Sequence, residues 1–272
     1  MTLYFIGMGP SIEYLSLKAI AILKSVDKVV VDRYTSIVPD YSIDRLREII
    51  GCKPVIVEAS RSDLEGWSIK SIVEEAIEKD IALLVPGDPF IATTHDAIRL
   101  EALKKGVDVE VVYGVSVYCL VASASGLQAY RFGKSVTLVY PEGFKPYSVL
   151  ETIYDNLKRG LHTLLFLDLK IDKGVAMTIP EAIDLLLSLD REYSSNPILD
   201  RVIGVGLAQI GTDRETVRAD ILSRLSSYEY PEPPHSLVIV AKPHPIELEL
   251  LHYIGKLPLS VFERYTSCKS YP

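Results

Sequence analysis

The sequence predicts an α/β protein of two α/β domains, and three observations carry that reading. Strand-like apolar runs alternate with helix-period segments from Leu3 to Val112. Gly and Pro punctuate the ends of those runs. Past Gly114 the texture changes, with strand-like runs separated by fewer helical stretches and longer spacings. The first pattern predicts a mostly parallel sheet with helices on both faces, the second a mixed sheet. The expected organisation is an N-terminal domain over 1–113, a C-terminal domain over 114–257 and a polar tail over 258–272.

Taken in order, Leu3 to Ile6 reads as a strand, and Gly7-Met8-Gly9-Pro10-Ser11 turns the chain into a helical pattern through Leu17, Ile20 and Leu23. Val29 to Val31 is a strand, Ile43 to Ile50 a helix, Pro54 to Val57 a strand and Trp67 to Glu78 a helix. Ile81 to Val85 suits a buried strand, which Pro86-Gly87-Asp88-Pro89 breaks. Thr94 is placed to cap a helix with Ala97, Ile98, Leu100 and Leu103 on its apolar side. Val107 to Val112 completes the first set. Val115 to Leu127 reads as helical, and Ser135 to Tyr140, His162 to Leu169, Arg201 to Ala208 and Ser236 to Ala241 as strands. Val149 to Leu157, Pro180 to Leu189 and Glu247 to Ile254 are helical, and Tyr228 to Pro234 is a stiff connector.

Composition removes several classes of function. With 48% apolar and 24% charged residues, the chain has what a globular core needs and a disordered chain lacks. No run reaches the ~20 apolar residues of a membrane span, and the N-terminus lacks the basic flank of a secretion signal, so a cytoplasmic location without membrane partners is expected. The net charge of −7, without a Lys/Arg cluster, argues against nucleic acid as a partner. Cys52, Cys119 and Cys268 are odd in number and far apart, which suggests neither a zinc site nor a disulfide framework. The five histidines form no HExxH or other short ligand set, so no metal is expected.

Several motifs stay open on local chemistry alone. Gly7-Met8-Gly9 after a strand, with Asp32 at the end of the next, invites a dinucleotide reading. A third Gly would be needed where Ile12 stands, however, and Pro10 lacks an N–H. A tight strand-to-helix turn explains those glycines as well. Gly114-Val115-Ser116-Val117-Tyr118 resembles a nucleophile elbow but fails at Tyr118, and Ser116 is suited instead to capping a helix or to offering its hydroxyl and backbone N–H to a ligand. Pro86-Gly87-Asp88-Pro89 is either a surface turn or a ligand loop beyond a strand's carboxyl end. His235, after Pro233-Pro234 and before a strand, is a fixed polar group or a rim histidine; Gly204 to Gly211 and Phe166 to Lys170 are strand ends with glycines or a carboxylate.

Six strings carry a resemblance to a known family: Leu3 to Gly9, Pro86 to His95, Gly126 to Lys134, Tyr140 to Gly143, Gly160 to Asp168 and Pro233 to Leu237. Together they resemble the diphthine synthases, within the tetrapyrrole-methylase fold group, over residues 1 to 257, and the length is similar to that of the archaeal forms. The resemblance implies a two-domain homodimer that holds S-adenosyl-L-methionine in the cleft between its domains and releases S-adenosyl-L-homocysteine. It implies successive methylation of the amino group of a 3-amino-3-carboxypropyl side chain on a histidine of translation elongation factor 2. Carried over by position, the cofactor contacts are Pro10, Asp88, Ile91, Ser116, Val117, Leu167, Ile210 and His235. Pro10 departs from the aliphatic residue of that position and leaves only its ring and carbonyl as contacts.

Methyl transfer from a sulfonium is an in-line displacement that asks for alignment, desolvation and loss of the acceptor's proton, not for a catalytic triad. Asp88 is expected to orient the cofactor's polar groups, backbone around Ile91, Ser116, Val117 and Ile210 to complete them, and Leu167 to supply apolar contact. No general base is assignable, and the part of His235 in proton transfer stays open. The competing readings are a methylase of a small tetrapyrrole, sharing fold and cofactor, and a non-catalytic module that binds the elongation factor.

Overall fold

The computed structural model describes residues 1–267; Cys268 and the rest of the expected tail lie outside the described residues. In chain order the first elements are β1 (Thr2–Gly9), α1 (Leu17–Ser25), β2 (Lys28–Asp32), α2 (Ile43–Ile50), β3 (Val55–Ala59), α3 (Arg61–Leu64), α4 (Ile69–Glu78), β4 (Ile81–Pro86), α5 (Asp96–Lys104) and β5 (Asp108–Val112). There follow α6 (Val117–Ser125), β6 (Val136–Leu138), α7 (Tyr147–Lys158), β7 (Thr163–Leu167), β8 (Leu169–Lys170), β9 (Val175–Ala176), α8 (Ile179–Tyr193) and β10 (Ile203–Ala208). The last are β11 (Thr216–Ile221), α9 (Leu222–Leu225), β12 (His235–Ile239), α10 (Pro245–Tyr253) and α11 (Leu259–Ser267). The chain divides into two compact units, Met1–Val117 with Leu169–Gly174, and Tyr118–Asp168 with the described residues from Val175 onward.

The first unit is built on a five-stranded sheet in the order β3-β2-β4-β1-β5, parallel throughout. Every residue of β4 is buried, as expected of a central strand covered on both sides. Alternate residues feed two separate cores. Leu3, Phe5, Leu83 and Val85 pack with Ile72 and Val73 of α4 and Ile98 of α5. Ile6, Met8 and Leu84 pack with Ala19 and Leu23 of α1 and Leu46 and Ile50 of α2. Each fully buried Leu, Ile, Val, Phe or Met side chain among them contributes about 1.5–3 kcal/mol. The helices start where side chains satisfy free N–H groups: Ser16 Oγ accepts from Ala19 N–H and Ser42 Oγ from Arg45 N–H, both at 3.1 Å.

Helix α5 departs from its expected form. Its cap position is His95, without a side-chain cap bond, and its buried residues are Ile98 and Ala102. Leu100 and Leu103 are 53% and 56% exposed, and Ala97 is exposed too. Thr94 does not cap because its hydroxyl bonds Tyr34 Oη at 2.8 Å and donates to Glu65 Oε1 at 3.1 Å.

The second unit carries a mixed sheet in the order β11-β10-β12-β7-β6, with only β6 and β7 parallel. One face of it, with Leu138, Leu165, Leu167, Leu237 and Ile239, packs on Val149, Leu150 and Ile153 of α7 and Ile183 and Leu186 of α8. A capping box opens α8: Thr178 Oγ1 accepts from Glu181 N–H while Glu181 accepts from Thr178 N–H. Where a polar tail was expected, Leu259–Ser267 forms α11, anchored by the buried Val261.

Candidate functional site

In the first unit the candidate residues collect at the carboxyl ends of β1, β4 and β5. The cores place α1 and α2 on one face of the sheet and α4 and α5 on the other. The loops leaving the neighbouring strands β1 and β4 therefore part to opposite faces, the arrangement that opens a ligand crevice in an α/β sheet. Four glycines, Gly7, Gly9, Gly87 and Gly114, meet there. A Cβ on Gly7 would lie 2.4 Å from Gly114 Cα, and one on Gly114 would lie 2.0 Å from Gly87 O. Gly9 and Gly87, with φ of +80° and +68°, exchange N–H···O bonds of 3.1 and 2.9 Å. A Cβ on Gly87 would meet nothing nearer than 3.9 Å, so backbone is open to a ligand at that point.

Asp88 is buried, and both carboxylate oxygens accept backbone N–H groups, Oδ1 from Phe90 at 3.0 Å and Oδ2 from Gly114 at 3.2 Å. It thus fastens its own turn to the end of β5. Ile91 is exposed just beyond it, Ser116 is buried immediately before α6, and Val117 opens that helix partly buried. Pro10, partly buried, leads a loop held by an acid that the sequence did not single out. Asp40 accepts from Ser11 Oγ at 2.8 Å, Ile12 N–H at 3.2 Å and Arg45 at 2.7 Å. Nothing in the sequence links Ser11 with Asp40; the four glycines were visible as residues, but not as neighbours.

Asp32 is not placed for a ribose. It is fully buried, its Oδ1 accepts from Tyr34 and Thr35 N–H at 2.8 and 3.0 Å, and Oδ2 faces His95 Nε2 at 3.3 Å. With the incomplete glycine pattern, this removes the dinucleotide reading.

In the second unit, Leu167 ends β7 and is buried in the core, and Ile210 is buried directly after β10. His235 opens β12 opposite Ala208. Its Nδ1 accepts from Ile179 N–H at 3.2 Å, so the ring hydrogen sits on Nε2, which donates to Pro231 O at 2.7 Å. Burial lowers its pKa below the ordinary 6.5, outweighing the opposing pull of the Pro231 carbonyl. A neutral ring with both nitrogens engaged orients its surroundings; it has no free lone pair for a proton. Beside Ile210, Gln209 has a φ of +48°, and its buried Oε1 has no hydrogen-bond partner among the described residues. Asp168, after Leu167, accepts from Tyr140 N–H at 3.1 Å, which suits a turn-holding residue.

The strings around Arg131 and His162 have a separate purpose within this unit. Both side chains converge on Glu247, which is fully buried. Its Oε2 accepts from Arg131 and from His244 N–H at 2.7 Å, and its Oε1 from Gln128 N–H at 2.9 Å and His162 Nε2 at 3.2 Å. Burial alone would raise the Glu247 pKa; His162 and the two N–H groups reverse this and bring it down to about 2.

Among the described residues no three His, Cys, Asp or Glu side chains are grouped to hold a metal, and no helix is long and apolar enough to cross a membrane.

Residues 2–225 match the family of Tetrapyrrole (Corrin/Porphyrin) Methylases. A protein of Staphylothermus marinus named diphthine synthase is 59% identical over 270 residues, covering 99% of this chain and all of the relative. The diphthine synthase of Methanosphaera stadtmanae is 36% identical over 92% of this chain and 94% of its own. A crystal structure of diphthine synthase superposes with a TM-score of 0.86 at 35% identity, covering 97% of this chain and 99% of its own. That of a putative diphthine synthase from Entamoeba histolytica gives 0.83 at 31%, over 93% and 98%.

Proposed function

The chain belongs to the tetrapyrrole methylase family, in its diphthine synthase branch, and is a methyltransferase; on that premise we propose that its methyl donor is S-adenosyl-L-methionine and its acceptor translation elongation factor 2. The observation that carries the reading is the 59% identity to a diphthine synthase along essentially the entire length of both chains. The product side is S-adenosyl-L-homocysteine and an elongation factor methylated on the amino group of a 3-amino-3-carboxypropyl histidine. A cytoplasmic homodimer is the proposed working form.

The residues fit such a donor. An open backbone position at Gly87, beside a crevice at the ends of β1 and β4, suits a ligand that needs close approach to main-chain groups. The contacts proposed in the first unit are Pro10 through its ring and carbonyl, Ile91 through its exposed side chain and backbone, and Ser116 and Val117 at the start of α6. Asp88, whose oxygens already take two N–H groups, serves by holding the turn that presents Gly87 and Ile91. In the second unit the proposed contacts are Leu167, Ile210 and His235. When bound, the cofactor supplies a methyl group already activated on a sulfonium. What the chain supplies is alignment and exclusion of water, which for a well-held pair of reactants amounts to several kcal/mol, about 7–11 at the limit. The amine must arrive unprotonated, and a desolvated site lowers its pKa.

Mass spectrometry of elongation factor 2 bearing the precursor side chain, after incubation with enzyme and cofactor, tests the whole reading. Gain of methyl groups on that side chain is the expected result. Methylation of a porphyrin-type acceptor instead would support the tetrapyrrole reading, and binding of the factor without cofactor uptake in calorimetry would support a non-catalytic module.

A further inference from the structure

The loop after β4 is fixed from beneath by residues the methyl-transfer reading has not used. Pro89 O accepts two side-chain donors at once, Thr93 Oγ1 at 2.6 Å and His95 Nδ1 at 3.1 Å. A carbonyl oxygen only accepts, so Nδ1 carries a hydrogen. On the other side of the ring, Nε2 stands 3.3 Å from Asp32 Oδ2. Neither of these two atoms makes a hydrogen bond among the described residues, so the contact between them is all that each has. Both side chains are 0% exposed. Ring and carboxylate therefore face each other away from water. Burial would raise the Asp32 pKa, but His95 and the Thr35 and Tyr34 bonds outweigh it and hold the carboxyl below its ordinary value.

The clamp closes a loop that contains a rare backbone conformation. Ala92 at its apex has φ +58°, a conformation an L residue other than Gly or Asn rarely adopts. The rest of the grip comes from the same place: Tyr34, whose N–H is taken by Asp32, also bonds Thr94 at 2.8 Å. A buried His–Asp pair is a poor way to gain stability, because apolar side chains of the same volume often do as well or better. What it does provide is one fixed arrangement of the groups bonded to it.

We propose that Thr93, His95 and Asp32 are positioning residues for the methyl donor: Thr93 and His95 clamp Pro89 O, Asp32 backs the His95 ring, and together they hold the Gly87–Ile91 segment in its binding conformation, and so set cofactor affinity without touching the cofactor. This rests on the cofactor reading above.

The test compares His95→Asn, Thr93→Val, Asp32→Ala and Asp32→Asn with Leu46→Ala, a core control on the opposite face of the sheet. Calorimetry with S-adenosyl-L-homocysteine gives Kd, thermal melting gives stability, and kinetics separate the cofactor KM from kcat. Loss of a clamp bond should raise Kd and cofactor KM about tenfold, with kcat at saturating cofactor within about twofold of the parent. Asp32→Asn, which can still bond both sides, should recover most of the affinity lost in Asp32→Ala. Leu46→Ala should lower the melting temperature and leave Kd alone. Kd that merely follows stability across all variants, or stays unchanged in Thr93→Val, overturns the proposal. Thr93→Val decides it if the buried-site variants do not fold. If the parent chain itself binds no S-adenosyl-L-homocysteine, the cofactor reading fails. The clamp is then decided by amide exchange, which should speed up at Phe90 to Ala92 in Thr93→Val and overturns the clamp if unaltered.

Discussion

Gly114 lies so close to Gly87 that a Cβ on the first would come within 2.0 Å of the carbonyl oxygen of the second. Backbone stands on both sides of that contact, so no rotamer change can relieve it. Gly114→Ala should cost at least about 1–3 kcal/mol in urea denaturation, the range for forced overpacking. Gly87→Ala meets open space and pays only for its φ of +68°, about 1–2 kcal/mol. The two should differ more in cofactor Kd, where displacing β5 from β1 spoils the crevice in Gly114→Ala.

Asp88→Ala removes the acceptor of two backbone N–H groups. Stability should fall by about 1–3 kcal/mol as well as cofactor affinity. Asp88→Asn keeps one acceptor and turns a donor toward the other N–H, so it should fall between the parent and Ala. Equal melting temperatures for the three proteins would remove Asp88 from the turn. The two backbone bonds are why a loss of stability is expected beside the loss of binding.

Arg131→Met leaves the Glu247 carboxylate buried without its cation and should destabilise the fold by about 3–5 kcal/mol. The acid dependence has a definite sign. Glu247 is lowered from 4.5 to about 2 in the folded chain, so its contribution is complete above about pH 4.5 and is lost as the pH falls toward 2. Glu247→Gln should be less stable at neutral pH and show a shallower loss over that window, read from urea midpoints at a series of pH values.

His235 is held neutral by burial, with its pKa lowered from 6.5. Its contribution is therefore complete above about pH 6.5 and diminishes as the pH falls and the unfolded chain takes up the proton first. His235→Phe should flatten the melting temperature between pH 5 and 6.5, at a cost of about 1–2 kcal/mol for its two lost bonds. As both nitrogens are engaged, His235→Gln should change cofactor KM and leave the limbs of the pH–rate profile in place. A lost basic limb would restore His235 as a proton acceptor.

The elements legible in the sequence are those whose own periodicity decides them. Ile43–Ile50 forms a helix over the residues its pattern marks, and Ile81 to Val85 is the buried strand its unbroken apolar run suggests. Less of α5 was legible, because Leu100 and Leu103 complete an apolar stripe that the fold leaves facing water. Strand β11 was hidden by Arg218 and Asp220, whose charges interrupt an edge strand that packing nevertheless holds. At the candidate site, the residue types were visible and the partnerships were not. Asp32 looked like a ribose acid because its place at a strand end is local information, whereas the histidine that occupies it comes from a loop two strands later. Asp40 and Ser11 gave no sign of each other for the same reason.

Glu247 receives donors from Gln128, Arg131, His162 and His244, and it comes 116 residues after Arg131 in the chain. During synthesis the cation and the imidazole leave the ribosome long before their counter-charge exists. The segment around Gln128 to His162 is made well before the carboxylate on which its donors converge. A chain cut before residue 247 would contain every strand of the mixed sheet yet lack the carboxylate that ties Gln128, Arg131, His162 and His244 together.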